Sequence, residues 1–385
     1  MYNQQHYYPV NWMDGMKMNK SHFIATDRAN MDGIRDALQT MLHPLRYGLV
    51  CNDEQQAIDI QITIDNQNLI KAKLLHCDAV TIGGARIYIH GKNLQQSFTQ
   101  IEATQTTKPG EEGVFWISVA VNLFERTPSG APDPQEQPPR NPYLMPTYSL
   151  HITPDTQIKQ LLHHPNQLIV GKVVLNGAQS RVEEEYIPPC MSVSAHVDLV
   201  AFHGELDSFF GKLELKCSQI VQKIFKKNQQ NELSDLVQFL CDRMVMYLGS
   251  TITTYRWSGV HESPVMMVQT TVGLARVMKN TIDLRIGSGK EELLNYLAEW
   301  CELNQGELET LLTGVANLNY EHHDVNQVLG KLVRFAKVLG KLFDTLSNLE
   351  FIGKKKDSNI FVKEEQIQVV EDINKPKPKR RFFAD

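Results

Sequence analysis

The 385-residue sequence predicts an α+β multidomain fold, with an N-terminal antiparallel β-sandwich followed by a helical bundle. Three observations carry this reading. Ile58, Ile60, Ile62 and Ile64 alternate with polar residues, the period of a half-buried strand. After Pro188-Pro189 the apolar spacing changes to three and four: Leu199, Phe202, Leu206, Phe209, Leu213, Cys217, Ile220 and Ile224 form one stripe on a long helix. Near the other end, Val325, Leu332, Leu339 and Leu346 recur at intervals of seven, with Leu329, Ala336 and Phe343 between them.

The elements follow in order. A helix is expected near Thr26–Leu42, before His43-Pro44. Short strand-like segments then occupy Leu69–Leu75, Ala79–Ile82, Arg86–His90, Val114–Phe124, Thr147–Ile152, Leu168–Leu175 and Arg181–Ile187, with Asn, Asp and Gly between many of them. Ile82-Gly83-Gly84-Ala85-Arg86 reads as a hairpin turn, because it lacks the following helix of a phosphate-binding loop. Seven of the seventeen prolines fall in 127–146, which predicts an extended loop outside any central strand. Glu183-Glu184-Glu185 reads as a charged strand edge. In the helical half, Ser234 caps a helix running to about Arg256, and Ser263-Pro264 opens the next. Gly287-Ser288-Gly289 breaks the chain before two shorter helices, around Lys290–Glu302 and Glu307–Leu318. The domains are thus expected at 1–190 (sandwich), 191–350 (bundle) and 351–385 (short basic tail). The heptad seam Val325, Leu332, Leu339 and Leu346 fits either a bundle within the chain or a symmetry mate; the bundle is preferred because other amphipathic helices are at hand.

Composition narrows the function. A net charge of −5 argues against general nucleic-acid binding. No apolar run approaches the ~20 residues of a membrane helix, and Met1–Tyr8 lacks the features of a signal peptide, so a cytoplasmic protein without membrane insertion is expected. The six cysteines are scattered, which favours reduced thiols over disulfides or zinc. Residues 354–385 carry a net +3, leaving −8 on the rest. Lys379, Arg380, Arg381, Phe382 and Phe383 in this tail form a candidate docking peptide. Tyr320-Glu321-His322-His323-Asp324 is the most tempting polar cluster, but nearly consecutive residues at a helix start cannot all face one point, and the helix dipole accounts for Asp324. His163-His164 before Pro165 reads as a loop pair. No nucleophile elbow or Walker motif is present, and nothing supports an enzyme; no catalytic, cofactor or metal residue is assigned.

The most informative stretch is Val10-Asn11-Trp12-Met13-Asp14-Gly15, followed six residues later by His22-Phe23. Read physically, it is a tight turn flanked by aromatic residues, expected to be a buried anchor at the start of the first domain. Its spacing resembles the opening signature of the TssK baseplate subunits of type VI secretion, Val-x-Trp-x-Glu-Gly then His-Phe. Here Asp14 stands for Glu, and Asn19-Lys20-Ser21 stands for the usual Arg-Pro-Gln, as in a divergent branch. Ile187-Pro188-Pro189, the Ser263-Pro264 helix with Met267 and Leu274-Ala275, and Tyr320, His322 and Asp324 resemble further family positions in the same order, although the Ser263-Pro264 helix lacks the His and Tyr that the family has there. The resemblance implies a sandwich similar to the shoulder of phage receptor-binding proteins, a helical bundle and a homotrimer. It implies a structural adaptor with no turnover, at the inner-membrane-proximal baseplate. The shell carrying Trp12, Asp14, Gly15, His22 and Phe23 would face the wedge proteins TssF and TssG, these side chains holding the local fold or touching the partner. A membrane-complex component would bind at the other end. The family's C-terminal head domain is expected to be missing, because only 39 residues follow Leu346. The alternative is a phage-like receptor-binding or tail adsorption protein.

Overall fold

A computed structural model describes residues 6–51, 56–65, 69–90, 101–106, 112–176, 180–229 and 231–353. The chain divides into two compact units, one of residues 6–196 together with Glu321–Asn326, the other of 197–320 with 327–353.

The first unit opens with helix α1 (Lys20–Gln39), then two antiparallel sheets. One sheet is built around β3 (Leu69–Val80). It pairs with β1 (Gly48–Leu49) and β2 (Ile58–Ile64), and also with β4 (Arg86–His90) and β5 (Ile101–Thr106). The second sheet has the order β7 (Tyr143–Pro154), β6 (Gly113–Ser129), β8 (Gln167–Leu175), β9 (Arg181–Val182). A short helix α2 (Ile158–Leu162), not legible in the sequence, lies between β7 and β8. Ile58, Ile60, Ile62 and Ile64 are half-buried and the residues between them exposed, as the alternation predicts, while Ile70, Leu74, Ile87, Ile117, Leu168 and Leu175 of the other strands are fully buried.

Four expectations change in this unit. The segments Leu69–Leu75 and Ala79–Ile82 belong together, because β3 runs unbroken to Val80 and only then turns through Gly83-Gly84 into β4. The proline-rich 127–146 is not wholly a loop. Thr127, Pro128 and Ser129 pair with Met145, Leu144 and Tyr143, which prolongs β6 and β7 as a two-stranded arm. Pairing of β6 with β8 ends at Ala120, so beyond the bulge at Asn122–Arg126 each arm strand has, among the described residues, one unpaired side, where proline costs no ladder bond. The helix starts at Lys20, not Thr26, because Asn19 caps it by accepting from the Ser21 and His22 amides. Glu183–Glu185 leave the strand: the Tyr186 amide closes a turn onto the Glu183 carbonyl.

The Pro188-Pro189 junction is held by β1. The Leu49 amide donates to the Pro189 carbonyl at 2.7 Å, and the Met191 amide donates to the Leu49 carbonyl at 2.9 Å. The approach is close because Gly48 has φ +114° and no Cβ; a Cβ there would lie 1.9 Å from the Pro189 carbonyl oxygen. Gly48→Ala therefore combines backbone strain with a clash against main chain, and is expected to cost more than about 2 kcal/mol, read as a lower midpoint in urea denaturation.

The second unit is helical: α3 (Val197–Lys226), α4 (Glu232–Ser258), α5 (Val265–Asp283), α6 (Lys290–Trp300), α7 (Gln305–Ala316) and α8 (Val325–Asn348), whose first two residues group with the first unit. The stripe from Leu199 to Ile224 is buried throughout. The cap of α4 is Asn231, in a reciprocal pair with Ser234 three residues later. Val325, Leu332, Leu339 and Leu346 are all buried within the single chain, with Leu329, Ala336 and Phe343. Lys379, Arg380, Arg381, Phe382 and Phe383 lie outside the described residues. Cys51 is exposed, and the other five cysteines are buried free thiols; burial pushes the Cys77 thiol up to about 12.

Candidate interaction surface

The signature segment forms a hook. Tyr7 to Met13 runs without regular structure, Asp14-Gly15 turns it with Gly15 at φ +77°, and Asn19 starts α1. The turn brings Trp12 back over the first helical turn, with its ring 5.9 Å from His22, edge-on, and 6.3 Å from Phe23. The indole thus packs on both rings. Trp12 is 48% exposed and Phe23 56%. The buried anchor expected from the sequence is therefore a surface aromatic cluster.

Helix α1 continues this inversion. The two fully buried side chains of α1 are Asp32 and Arg35, with Ala25, Ala29, Met31, Leu38 and Gln39 half-buried, whereas Phe23, Ile24 and Ile34 are exposed, Ile34 at 63%. The inner contacts are polar. Asp32 accepts from the Tyr7 amide at 3.0 Å and pairs with Arg35 at 3.3 Å, both side chains being buried. Gln39 donates to the Gly83 carbonyl at 2.9 Å. Arg126 reaches the Met31 sulfur, and the Arg28 guanidinium lies 5.4 Å from the Tyr7 ring centre. An amphipathic helix normally turns its apolar stripe to the core. One that turns it outward, beside an exposed Trp, Tyr8, Met13, Met18 and Met41, has the character of an interface.

The cluster Tyr320–Asp324 has a different role. Its residues do face different points, as their spacing requires. The His322 Nε2 lies 2.9 Å from the Tyr47 carbonyl oxygen, with its ring 4.9 Å from the Tyr47 ring. His323 sits edge-on to Trp116 at 5.5 Å, and its carbonyl accepts from the Tyr186 hydroxyl at 2.6 Å. Asp324 is 2% exposed and accepts from Lys172 Nζ at 2.5 Å, so the helix dipole is not its main partner. Lys172 also lies 4.8 Å from the Trp116 ring centre, and Trp116 donates to Asp155 at 2.8 Å. Asn326 accepts from the Ile187 amide at 2.9 Å and donates to the Glu185 carbonyl at 2.6 Å. These bonds stitch Glu321–Asn326 to the sandwich and to the Glu185–Ile187 segment that follows β9. The cluster is a structural clamp.

Burial, aided by the neighbouring charges of His43 and His323, lowers the His322 pKa to about 4 from 6.5. The unfolded chain takes up this proton near 6.5 and the folded chain only near 4. Between those values the unfolded state binds more protons, so stability present at neutral pH is lost as pH falls from 6.5 toward 4, by about 3 kcal/mol. Urea midpoints measured across this window are expected to fall with pH, and His322→Gln is expected to flatten the slope.

Among the described residues, His6, Asp32 and Asp36 are spaced for a metal, with ligand atoms within 4.8 Å. Asp32 is already committed to Arg35 and the Tyr7 amide, so the group is better fitted to anchoring α1. No helix of the described residues is long and apolar enough to cross a membrane.

No protein-family model matches the sequence. No curated protein matches it either. Solved structures do. A chain of the baseplate complex from the type VI secretion system is similar over 88% of this chain and 100% of its own length, at 12% identity and a TM-score of 0.52. A crystal structure of TssK covers 89% of this chain and 70% of its own, at 15% identity and 0.48. A chain of the TssK-TssF-TssG baseplate subcomplex, seen by cryo-electron microscopy, covers 89% and 99%, at 12% and 0.44. At such identities the likeness is one of fold: the α+β arrangement of antiparallel sheets followed by helices is shared with a chain of the type VI secretion baseplate.

Proposed function

We propose that this protein is a structural component of a type VI secretion baseplate, a homotrimeric adaptor in which the sandwich meets the wedge proteins TssF and TssG and the other end meets a membrane-complex component. It works by binding, without turnover, at the cytoplasmic face near the inner membrane. The observation that carries this reading is the inverted α1. A folded unit that keeps a polar helix face inside and exposes Trp12, Phe23 and Ile34 is built to be covered by another protein. The fold shared with a baseplate chain supports it, as do the signature residues Trp12, Asp14, Gly15, His22 and Phe23, which form that surface. Two parts of the signature have separate work in this reading: Asp14 and Gly15 make the turn, while Trp12 and Phe23 supply contact area.

The test is co-expression with the TssF and TssG homologues of the same gene cluster, with affinity capture of one component. Recovery of a stable complex is expected. Light scattering of the protein alone is expected to give three times the chain mass. A monomer that captures neither wedge protein would refute the adaptor reading.

A further inference from the structure

The groove formed by α7 and α8 has no part in the baseplate reading. It encloses about 540 Å³. On the α7 wall, Gly306, Thr310 and Gly314 fall at every fourth position, which places them on one helix face. A Cβ at Gly314 would meet nothing within 4 Å, so this wall is open to close approach. Leu311 supplies apolar surface beside it. The other wall carries Lys331 and Arg334 of α8, both exposed. Neither has an ion-pair partner among the described residues, whereas Lys341 reaches Glu302 at 2.6 Å and Lys290 reaches Asp283 and Glu309 at 2.8 Å. The one carboxylate on the rim, Glu307, is committed to the capping box, accepting from the Asn304 amide at 3.0 Å. The bundle thus leaves two adjacent cations beside a small-residue wall.

We propose that this groove is the docking site of the chain's own acidic segment, residues 364–373. The segment reads Glu364-Glu365-Gln366-Ile367-Gln368-Val369-Val370-Glu371-Asp372-Ile373, with four carboxylates, no cation and four branched apolar residues. Its charge complements Lys331 and Arg334, and its apolar residues suit the groove's apolar lining, Leu311 and Val315. The reach is sufficient. Arg334 lies fourteen residues before the end of α8, about 21 Å along the helix axis. The eleven residues from Gly353 to Glu364 span up to about 36 Å when extended. Docking would hold the acidic part of the tail on the bundle and present the following basic stretch, Lys375 to Phe383, from a fixed point. The inference does not depend on the baseplate reading, since it concerns contacts within this chain.

Zero-length carbodiimide cross-linking of the full-length protein, followed by peptide mass spectrometry, tests this directly. An amide linking Lys331 to Glu364, Glu365, Glu371 or Asp372 is expected, and in a mixture of ¹⁴N and ¹⁵N protein it is expected within single chains. Cross-links found only between isotopically different chains would make a second copy the occupant and overturn the proposal, as would their absence at Lys331. Hydrogen exchange supplies a second readout. The double variant Lys331→Glu/Arg334→Glu is expected to speed amide exchange in 364–373 at least about tenfold while the melting temperature holds. Because that change lies in the bundle, the tail variant Glu364→Gln/Glu365→Gln/Glu371→Gln/Asp372→Asn must give the same acceleration; protection retained in both would refute the docking.

Discussion

Replacing Trp12 by Ala, or Ile34 by Asp, is expected to abolish capture of the wedge proteins and to leave the melting temperature within about 2 °C of wild type. The two halves of this expectation rest on the same geometry. Among the described residues the ring contacts of Trp12 are with His22 and Phe23, and Trp12 and Ile34 are 48% and 63% exposed, so neither is a core residue. Surface changes of this kind shift stability by about 0.5 kcal/mol or less. In a complex the same side chains would be desolvated, and a buried Trp at an interface centre is worth about 2–4 kcal/mol, roughly 30- to 1000-fold in affinity. Ile34→Asp adds the desolvation of a carboxylate to the loss of contact. A control on the opposite face separates surface from scaffold. Asp32→Ala removes the partner of Arg35 and the acceptor for the Tyr7 amide, so it is expected to lower stability and loosen the helix. Unchanged wedge capture by both outer-face variants would place the interface elsewhere.

This contrast also marks what the sequence could convey. The strands were legible because a sandwich strand shows one apolar face, and Ile58 to Ile64 states that alternation locally. The long α3 was legible for the same reason at a different period. The orientation of α1 was not. Periodicity tells which face of a helix is apolar, but not whether a core or another protein lies against it. A clue was nevertheless present: the two most buried positions of the helix read Asp32 and Arg35, a poor lining for a core. The proline-rich arm was misjudged because proline forbids a central strand, not a two-stranded one. The capping pair at Asn231 and Ser234 lay one turn before the expected start, within the ordinary uncertainty of a helix end. The clamp around Asp324 was beyond any spacing argument. Its partner Lys172 lies 152 positions away, and only the fold brings them together.

That distant pair sets the second large expectation. Asp324→Ala is expected to destabilise the first unit by about 3–5 kcal/mol, seen as an early transition in urea followed by tryptophan fluorescence. The loss is larger than the bond itself. With Asp324 gone, Lys172 keeps its charge in a largely buried position beside Trp116, and the desolvation of that ammonium is no longer offset. The logic predicts the sign of the double variant as well. Replacing both partners by apolar residues, Lys172→Met with Asp324→Leu, removes the charge together with its counter-charge, and should recover most of the lost stability. A double variant no better than Asp324→Ala would show that the carboxylate acts mainly through other bonds at the start of α8. Because Trp116 reports on Lys172 at 4.8 Å and on His323 at 5.5 Å, its emission is the natural probe of whether Glu321–Asn326 has left the sandwich. The pH dependence of His322 reads the same event independently. Acidification protonates a histidine that the fold holds neutral, and Asp324→Ala strips the neighbouring anchor, so the two perturbations should be less than additive if the clamp opens as one piece.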